Sequence, residues 1–418
     1  MKFDQKGIAI IGSGLAGLTA AYFIRQRNDL PVTIFEACER IGGRVLTSTA
    51  PSGEHGARYF LGSELNARPG SAYWRDYGLP DGRNIKKLFH DLGVHVAKMA
   101  EGWPYCCILN SLKPKRLDKL KGNFPAARVI DELSPAQGKF TDCIKHHFHR
   151  NERSLKIMKM ILAGETCGPW THLSAQYALD CLKSAVDAKE KWFTVKGGSG
   201  TLLKQLSASS ASRIKRGSTC IKVRRKRHDT VEVTYRGKTG VKKTNFQGVI
   251  ISSPDGHDLA RHSSEPRHFH SYISMLFKFA SKPGLIGQKV DLRDGLYTDH
   301  PLMNYLEAED TRKGKHRWTL RILIPYGDRF CRLSDEEIEG KCMKVLVNRL
   351  QIKVKPFGSP SIKRWVKGLP CGGTPRKYEK VSEGIYLCGD RYGRWPSMAA
   401  AIVSGARAAE AILDDLGQ

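Results

Sequence analysis

The amino-acid sequence predicts an α/β protein that opens with a dinucleotide-binding βαβ unit, and three observations support this prediction. A short apolar run at residues 7–11 leads directly into the glycine pattern GxGxxG at residues 12–17. Apolar side chains at helical spacing follow, as expected for a helix that packs against a sheet. A second apolar run at residues 31–35 then ends on the acidic Glu36. Strand, glycine turn, helix, strand and acid in this order favour a parallel sheet.

Each residue of this unit has a chemical reason to be there. Gly12 permits the tight turn, Gly14 lets the backbone approach a pyrophosphate, and Gly17 lets the helix lie close to the strand. The N-terminus of the helix presents unpaired N–H groups and a partial positive charge to the phosphates. Glu36 is expected to accept hydrogen bonds from ribose hydroxyls, and its charge disfavours a 2′-phosphate on that ribose.

The next residues narrow the dinucleotide to FAD. Residues 39–44 read ERIGGR, which resembles the segment after the second strand in the flavin-containing amine oxidase superfamily. That superfamily includes L-amino-acid oxidases, phytoene desaturases and protoporphyrinogen oxidase. The resemblance implies that Gly43 and Arg44 pack beside the FAD pyrophosphate. It also implies a Rossmann-like FAD-binding domain, with a parallel sheet and a β-meander, and a mixed α+β substrate domain.

The far end of the chain resembles the same superfamily. Residues 384–390 read GIYLCGD, a buried strand that ends in Gly389 and Asp390, and a loop and a helix rich in small residues follow at 394–412. In the superfamily this acid binds the FAD ribityl or pyrophosphate, and the helix points at the flavin pyrimidine. A helix N-terminus there would stabilise the negative charge of a reduced flavin. Cys371, in the segment PCGG, resembles the cysteine that holds the flavin covalently in monoamine oxidases, but it lies closer to Gly389 in the sequence than that resemblance requires, so non-covalent FAD is expected.

The resemblance also implies that a loop at residues 46–62 runs along the flavin ring. Gly56 and Ala57 are small enough to avoid a collision with the ring. The segment EHGARY resembles the turn of L-amino-acid oxidases in which an arginine binds the substrate carboxylate, and this implies that role for Arg58, with Tyr59 nearby. A guanidinium suits the task because its planar fork matches a carboxylate. The alternative is an arginine that forms an ion pair within the loop or contacts a phosphate.

Three further positions follow from the resemblance. Val223, in the first strand of the meander, is expected to contact adenine through its backbone. A lysine that holds a water against flavin N5 in many family members corresponds either to Lys278, by local sequence, or to the position of Met275, by counting back from Pro283. Trp365 and Trp395 are aromatic residues expected near the flavin.

The motif and the resemblance together imply a set of cofactor-binding residues and a discontinuous domain organisation. The cofactor-binding residues are Gly12, Gly14, Leu15, Ala16, Gly17, Glu36, Ala37, Gly43, Arg44, Gly56, Ala57, Arg58, Val223, Gly389, Asp390, Ser397, Met398 and Ala399. The candidate catalytic residues are Arg58, Tyr59, Lys278, Trp365 and Trp395. Residues 1–65, 193–257 and 362–418 are assigned to the FAD-binding domain, and residues 66–192 and 258–361 to the substrate-binding domain.

Composition limits the partners and the compartment. The chain has 418 residues and a net charge of +28, which attracts polyanions, although the basic segment 224–228 lacks the interleaved aromatic residues of a nucleic-acid-binding surface. Eleven cysteines without a CxxC pair favour a reducing, cytoplasmic location. His146, His147 and His149 point to different helix faces, so no metal site is expected there. No apolar run is long enough to span a membrane.

Three functions are therefore open. The first is an FAD-dependent oxidase that removes a hydride from the α-carbon of an amino acid or related amine, with O2 as acceptor and an imine and hydrogen peroxide as products. The second is an FAD-dependent desaturase or dehydrogenase that acts on a C–C bond of a biosynthetic intermediate. The third is a flavoprotein that binds a polyanion through its basic surface. The sequence predicts neither the substrate nor the oligomeric state.

Overall fold

Two large sheets organise the molecule. The computed structural model describes residues 7–49, 52–99, 105–107, 115–116, 140–141, 152–186, 190–210, 212–226, 230–260, 269–311, 318–371 and 377–418. The three histidines at 146–149 and the tip of the basic hairpin at 227–229 lie outside these ranges. No helix in the ranges is both long and apolar enough to cross a membrane.

The first sheet has six strands and is parallel except at one edge. Its strands, in spatial order, are Arg213–Lys215, Val32–Phe35, Ile8–Ile11, Gly248–Ile251, Ile385–Leu387 and Glu379–Ser382. The predicted βαβ unit is confirmed, because Ile8 lies opposite Val32 in a parallel register and the helix Leu15–Arg27 connects the two strands. The central strands are apolar along their length because helices and the meander bury both faces of the sheet.

The two long helices of this half pack directly against each other. Helix Leu15–Arg27 contacts helix Met398–Asp415, and Gly405 lies against the carbonyl oxygen of Ala16, where any Cβ would overlap that oxygen. Small residues in the second helix therefore allow the two backbones to approach closely. This contact places the two ends of the chain beside one cavity.

The predicted β-meander is present beside the parallel sheet. Its three antiparallel strands are Thr219–Arg225, Val231–Gly237 and Gly240–Phe246. The apolar strand Gly248–Ile251 that follows does not extend the meander but joins the parallel sheet beside Ile8–Ile11. That run is apolar at every position, as a strand buried on both faces requires.

The second sheet has seven strands and forms the other half of the molecule. In spatial order they are Ser361–Pro370, Phe269–Phe279, Trp318–Ile324, Tyr305–Asp310, Leu296–Thr298, Tyr105–Cys107 and Lys115–Arg116. This sheet thus extends beyond residue 361, the predicted limit of the substrate-binding part. Helix Asp335–Asn348 packs on one face, and Ser334 caps it by accepting from the Glu337 N–H at 3.1 Å. Helices Glu152–Thr166 and Ala175–Val186 bury the other face.

Smaller elements connect the halves. Strands Tyr59–Leu61, Trp192–Val195 and Val96–Lys98 form a three-stranded sheet, and Thr47–Thr49 pairs with Ser52–Glu54. The other helices of the described ranges are Gly62–Leu65, Ala72–Tyr77, Ile85–Asp91, Ser199–Ser209, Gly256–Ala260 and Gly327–Phe330, with 3-10 turns at Trp170–His172, Leu292–Asp294 and Asp390–Tyr392.

Candidate active site

A cavity of about 650 Å³ lies between the two sheets. On one side it follows the carboxyl ends of the parallel strands, where Gly12, Glu36 and Gly389 line it. On the other side Tyr272, Tyr305 and other residues of the second sheet close it. A crevice beyond the carboxyl ends of parallel strands is the usual ligand site of such sheets.

Most of the predicted site residues meet at this cavity. Those that line it are Gly12, Gly14, Leu15, Ala16, Glu36, Ala37, Gly43, Arg44, Gly56, Ala57, Arg58, Tyr59, Gly389, Asp390, Trp395, Ser397 and Met398. Those that do not are Gly17, Val223, Lys278, Trp365 and Ala399. Gly17 lies behind the turn, against the Gly12 carbonyl oxygen, where a Cβ would overlap.

The two glycine motifs of the N-terminal segment form one structure. Gly12 has a φ of +101°, which favours glycine, and the backbones of Gly14 and Gly42 form a parallel bridge. The Gly42 N–H donates to the Ser13 carbonyl at 2.9 Å. A Cβ on Gly43 would lie 3.3 Å from the Cα of Gly14. Glycine at these positions thus leaves bare backbone facing the cavity, as a pyrophosphate requires.

Glu36 is held rigidly at the end of its strand. One carboxylate oxygen accepts from the Ser13 N–H at 2.9 Å and from the Ser13 hydroxyl at 2.6 Å, and the other accepts from the Cys38 N–H at 2.8 Å. A carboxylate has about four acceptor sites, so one remains for a ribose hydroxyl.

Val223, the residue expected to contact adenine, does not line the cavity. Val223 is buried in the core beneath the meander and does not reach the cavity, whereas Cys220 and Thr219 of the same strand line it. The pairing with the next strand shifts between Cys220 and Lys222, which marks an irregularity of the β-bulge type.

The C-terminal residues and the N-terminal motif are linked by an ion pair. Arg44 donates to Asp390 at 2.7 Å and to the Gly368 carbonyl at 3.2 Å. Gly389 has a φ of +140°, and its N–H donates to the Ser404 hydroxyl at 3.0 Å. The strand end, the 3-10 turn and the terminal helix are therefore held in one arrangement beside the glycine motifs.

Glu64, which no sequence motif marked, organises the start of the terminal helix. One of its oxygens accepts from the Trp395 indole at 3.0 Å and from the Ser397 hydroxyl at 2.8 Å, and the other accepts from the Leu61 N–H at 3.0 Å. Ser397 in turn accepts from the Ala400 N–H at 3.0 Å and so caps the helix. Burial raises the pKa of Glu64 to about 7.

At the opposite end of the cavity, Arg58 is already paired. Its guanidinium contacts Glu307 at 3.0 Å and Glu309 at 3.2 Å, and its side chain is only 9% exposed. Burial alone would lower the pKa of Arg58, but the two carboxylates raise it above its ordinary value. The Tyr59 hydroxyl also donates to Glu307. Arg58 thus has the internal ion pair of the alternative interpretation, although its partners come from the distant strand Tyr305–Asp310.

Arg321, which sequence reasoning missed, is a second buried arginine of this region. It is 7% exposed, it lines the cavity, and it donates to the Gly56 carbonyl at 2.7 Å. Among the described residues no carboxylate lies within ion-pair distance of it, and its buried Nε has no hydrogen-bond partner. Burial, together with the charge of Arg321, lowers the pKa of nearby His55 to about 4, so this imidazole is neutral at pH 7.

A buried acid also lines this end. Glu165 accepts from the Tyr297 hydroxyl, and burial raises the pKa of Glu165 above its ordinary value. The rings of Tyr297 and Tyr305 lie 5.0 Å apart, and Glu165 and Arg321 both influence the pKa of Tyr305. The acid and Arg321 therefore flank one group of tyrosines.

Lys278, Met275 and Trp365 do not line the cavity, although the first two are the positions considered for the family's lysine. Lys278 stands opposite Thr319 near the end of its strand, and Met275 is buried in the core 3.6 Å from the Cys342 sulfur. Tyr272 is the residue of that strand that lines the cavity. Trp365 stacks behind it, with ring centroids 6.0 Å apart.

Comparison with known proteins gives a family and several similar folds. The sequence model of the family described as flavin-containing amine oxidoreductase matches residues 15–413. A cyclohexylamine oxidase from Brevibacterium oxydans has a similar structure, with a TM-score of 0.75, 15% identity, and coverage of 99% of this chain and 100% of the other. A triple mutant of a putrescine oxidase has a TM-score of 0.71 and 17% identity, with coverage of 98% of this chain and 99% of the other.

Curated relatives match only in short segments. An L-amino-acid oxidase from Hebeloma cylindrosporum is 34% identical over 88 residues, which are 21% of this chain and 14% of that protein. A coproporphyrinogen III oxidase from Staphylococcus aureus is 51% identical over 41 residues, 10% of this chain and 9% of that protein. The chain thus aligns with less than a fifth of the length of either relative.

Proposed function

The chain belongs to the flavin-containing amine oxidoreductase family, and from this premise we propose that it oxidises an amine that carries a carboxylate, with amino acids as the simplest substrates. As a member of that family it is an FAD-dependent oxidoreductase. The cavity fits the cofactor, because glycine backbone, the anchored Glu36 and the capped terminal helix all face it. The chemistry that FAD supplies when bound is acceptance of a hydride from the substrate α-carbon and return of the electrons to O2 as hydrogen peroxide.

The proposal of a carboxylate-bearing substrate rests on Arg321. A buried guanidinium favours a nearby anion. The charges of Glu54 and Glu307 interact with Arg321, but no carboxylate of the described residues lies at ion-pair distance from it. A substrate carboxylate would supply that anion through a bidentate contact. Arg58 is less suited to this role, because Glu307 and Glu309 already neutralise it.

Glu165 supports an amine at the same place. An amine must lose its ammonium proton before its C–H bond can release a hydride. A buried carboxylate whose pKa is raised is a stronger base than an ordinary one and is suited to receive that proton. The Tyr297 hydroxyl orients the carboxyl group by donating to it. In this arrangement Arg321 holds the carboxylate end of the substrate and Glu165 serves its amino end.

The test compares amino acids with the amines that they yield on decarboxylation. We expect an L-amino acid to bleach the flavin absorbance and release peroxide. Arg321→Met should raise KM for that amino acid by ~10–100-fold, as expected for a lost charged hydrogen bond, and leave KM for the matching amine nearly unchanged. Arg293→Met is the control, because Arg293 also lines the cavity but pairs with Asp291 at 2.5 Å.

Two outcomes would contradict the proposal. One is that no amino acid or amine bleaches the flavin. The other is that Arg321→Met changes KM for the amino acid and for its decarboxylated amine by the same factor.

One observation favours the second candidate, a dehydrogenase acting on a C–C bond. The lysine expected beside the flavin in many amine oxidases is absent from the cavity wall at both predicted positions, Lys278 and Met275. This candidate predicts flavin reduction by substrates without an amino group and little release of peroxide.

The polyanion-binding role stays a prediction without a supporting contact. Several charges of the basic meander are already compensated, since Arg225 pairs with Glu383, Lys226 with Glu232 and Lys238 with Glu39. Binding to nucleic acid at low salt that weakens steeply as salt rises would support the role.

We also propose that the protein works in a reducing compartment such as the cytoplasm. The support is that the described cysteine side chains, exposed and buried alike, are free thiols.

A further inference from the structure

A cluster of metal-ligating side chains lies in the substrate-binding half, outside the wall of the main cavity. His172 ends the 3-10 turn Trp170–His172, His270 lies in strand Phe269–Phe279, and Cys371 follows strand Ser361–Pro370. One ligand atom from each of the three lies within 4.8 Å of the other two. Because the three residues are far apart in the chain, no sequence motif indicates that they form a cluster.

The surroundings of His270 hold its ring ready to bind a metal. Its Nδ1 lies 2.8 Å from the Thr166 carbonyl oxygen, which can only accept a hydrogen bond. Nδ1 therefore carries the proton, and Nε2 carries the lone pair that a cation requires. Gly168 packs against the ring, where a Cβ would overlap it. Such an outer hydrogen bond from a ligating histidine to a carbonyl is typical of metal sites.

The donor set selects the kind of cation. Two imidazoles and one thiolate suit a borderline-soft ion such as Zn²⁺, whereas Mg²⁺ and Ca²⁺ prefer oxygen ligands. Tetrahedral zinc has Zn–N and Zn–S distances of roughly 2.0–2.3 Å, so small side-chain rotations would bring the three atoms to one ion. We propose that His172, His270 and Cys371 form a binding site for a zinc-type divalent cation.

Binding requires the Cys371 thiol to ionise. A neutral thiol carries a proton that must leave before the sulfur can bind a metal as a thiolate. The cation displaces this proton, forms a metal–thiolate bond and releases the proton to solvent, with no change of oxidation state. Affinity therefore increases with pH. His172 is exposed, which gives the ion a path from solvent and leaves a fourth position for water.

The bound ion would link three structural elements that form part of the cavity wall or lie next to it. Gly164, Glu165 and Cys167 line the cavity just before the turn that carries His172, and Gly368 and Leu369 line it just before Cys371. The ion would thus join the helical layer to two strands of the second sheet at the cavity wall. Its expected role is structural and needs no contact with FAD.

The experiment uses purified holoenzyme treated with a chelator, then equilibrated with zinc sulfate and dialysed. We expect about one zinc per chain by mass spectrometry, and with cobalt sulfate a thiolate-to-cobalt charge-transfer band. Cys371→Ser and His172→Asn should each weaken binding by ~10-fold or more and abolish or shift the cobalt band. The matched controls, Cys331→Ser and His90→Asn, alter exposed residues outside the cluster and should retain zinc.

His172 makes the test independent of folding, because its side chain is exposed and its replacement is compatible with a folded chain. Absence of retained zinc in the unaltered protein would overturn the proposal. The same conclusion would follow if Cys371→Ser and His172→Asn bound zinc as tightly as their controls.

Discussion

The two ends of the cavity are built in different ways. At the nucleotide end, backbone and small residues shape the wall. Gly12, Gly14 and Gly43 expose main chain, and Glu36 is fixed by Cys38, two residues later, and by Ser13 of the adjacent glycine turn. At the substrate end, ionisable side chains such as Arg58 and Arg321 come together from strands far apart in the sequence.

The nucleotide end therefore depends mainly on the shape of the backbone, and the substrate end on the balance of charges. The nucleotide end depends on the close approach of backbone segments, so a single added Cβ disrupts its shape. A change of charge there matters less. The substrate end depends on the balance of buried charges, so removal of one partner leaves the other uncompensated. The variants below test this division.

The largest effect is expected at the substrate end, on stability. Arg58→Met leaves Glu307 buried without its cation and should lower the free energy of unfolding in urea by about 3–5 kcal/mol. The double variant Arg58→Met, Glu307→Gln should recover most of this loss. Arg293→Met, which breaks a pair on a more exposed side chain, should cost less than about 1 kcal/mol. A loss for Arg58→Met no greater than for Arg293→Met would show that the charges are not coupled.

The matching change at the nucleotide end concerns cofactor binding. Gly17→Ala places a Cβ against the Gly12 carbonyl and displaces the glycine turn. FAD affinity, measured by flavin fluorescence titration, should fall ~100-fold or more, about 3 kcal/mol. Gly340→Ala is the control, since a Cβ there meets nothing within 4 Å and alanine suits a helix. Retention of FAD by Gly17→Ala would refute the shape argument.

A pH experiment tests Glu64, a buried acid that lines the cavity and holds the start of the terminal helix. Its folded-state pKa of about 7 is above its ordinary value, so its contribution to stability is complete at low pH and is lost as pH rises. Between pH 5 and 7 the free energy of unfolding should fall by roughly 2 kcal/mol more in the unaltered protein than in Glu64→Gln. Glu336→Gln, at an exposed position, should follow the unaltered protein. Parallel pH curves for all three proteins would contradict this.

The smallest effect is expected from the lysine that the family resemblance singled out. Lys278 does not reach the cavity, so Lys278→Met should change kcat and kcat/KM by less than ~2-fold. A tenfold or greater fall in kcat, with FAD content unchanged, would place this lysine in the reaction after all.

Sequence reasoning succeeded where a short segment determines its own backbone. The glycine turn, the strand ending at Glu36 and the strand ending at Asp390 all lie where the motifs predicted them. In the meander the predicted residue and the cavity wall do not coincide, because Thr219 and Cys220, rather than Val223, line the cavity. The irregularity between Cys220 and Lys222 shifts which residue faces the cavity, and nothing in the local sequence marks it. Arg321 was missed because its partners in space belong to a loop more than two hundred residues earlier.

The close contact between the first and last long helices sets an order of events during protein synthesis. The strand Ile8–Ile11 and its glycine turn leave the ribosome early, but their neighbours in the sheet, Gly248–Ile251 and Ile385–Leu387, and the helix that seals them against Ala16 emerge much later. Because such long-range pairings form slowly, the nucleotide pocket is completed only after residues 398–415 have been translated. We therefore expect that a chain stalled before that helix does not retain FAD, because its nucleotide pocket is incomplete.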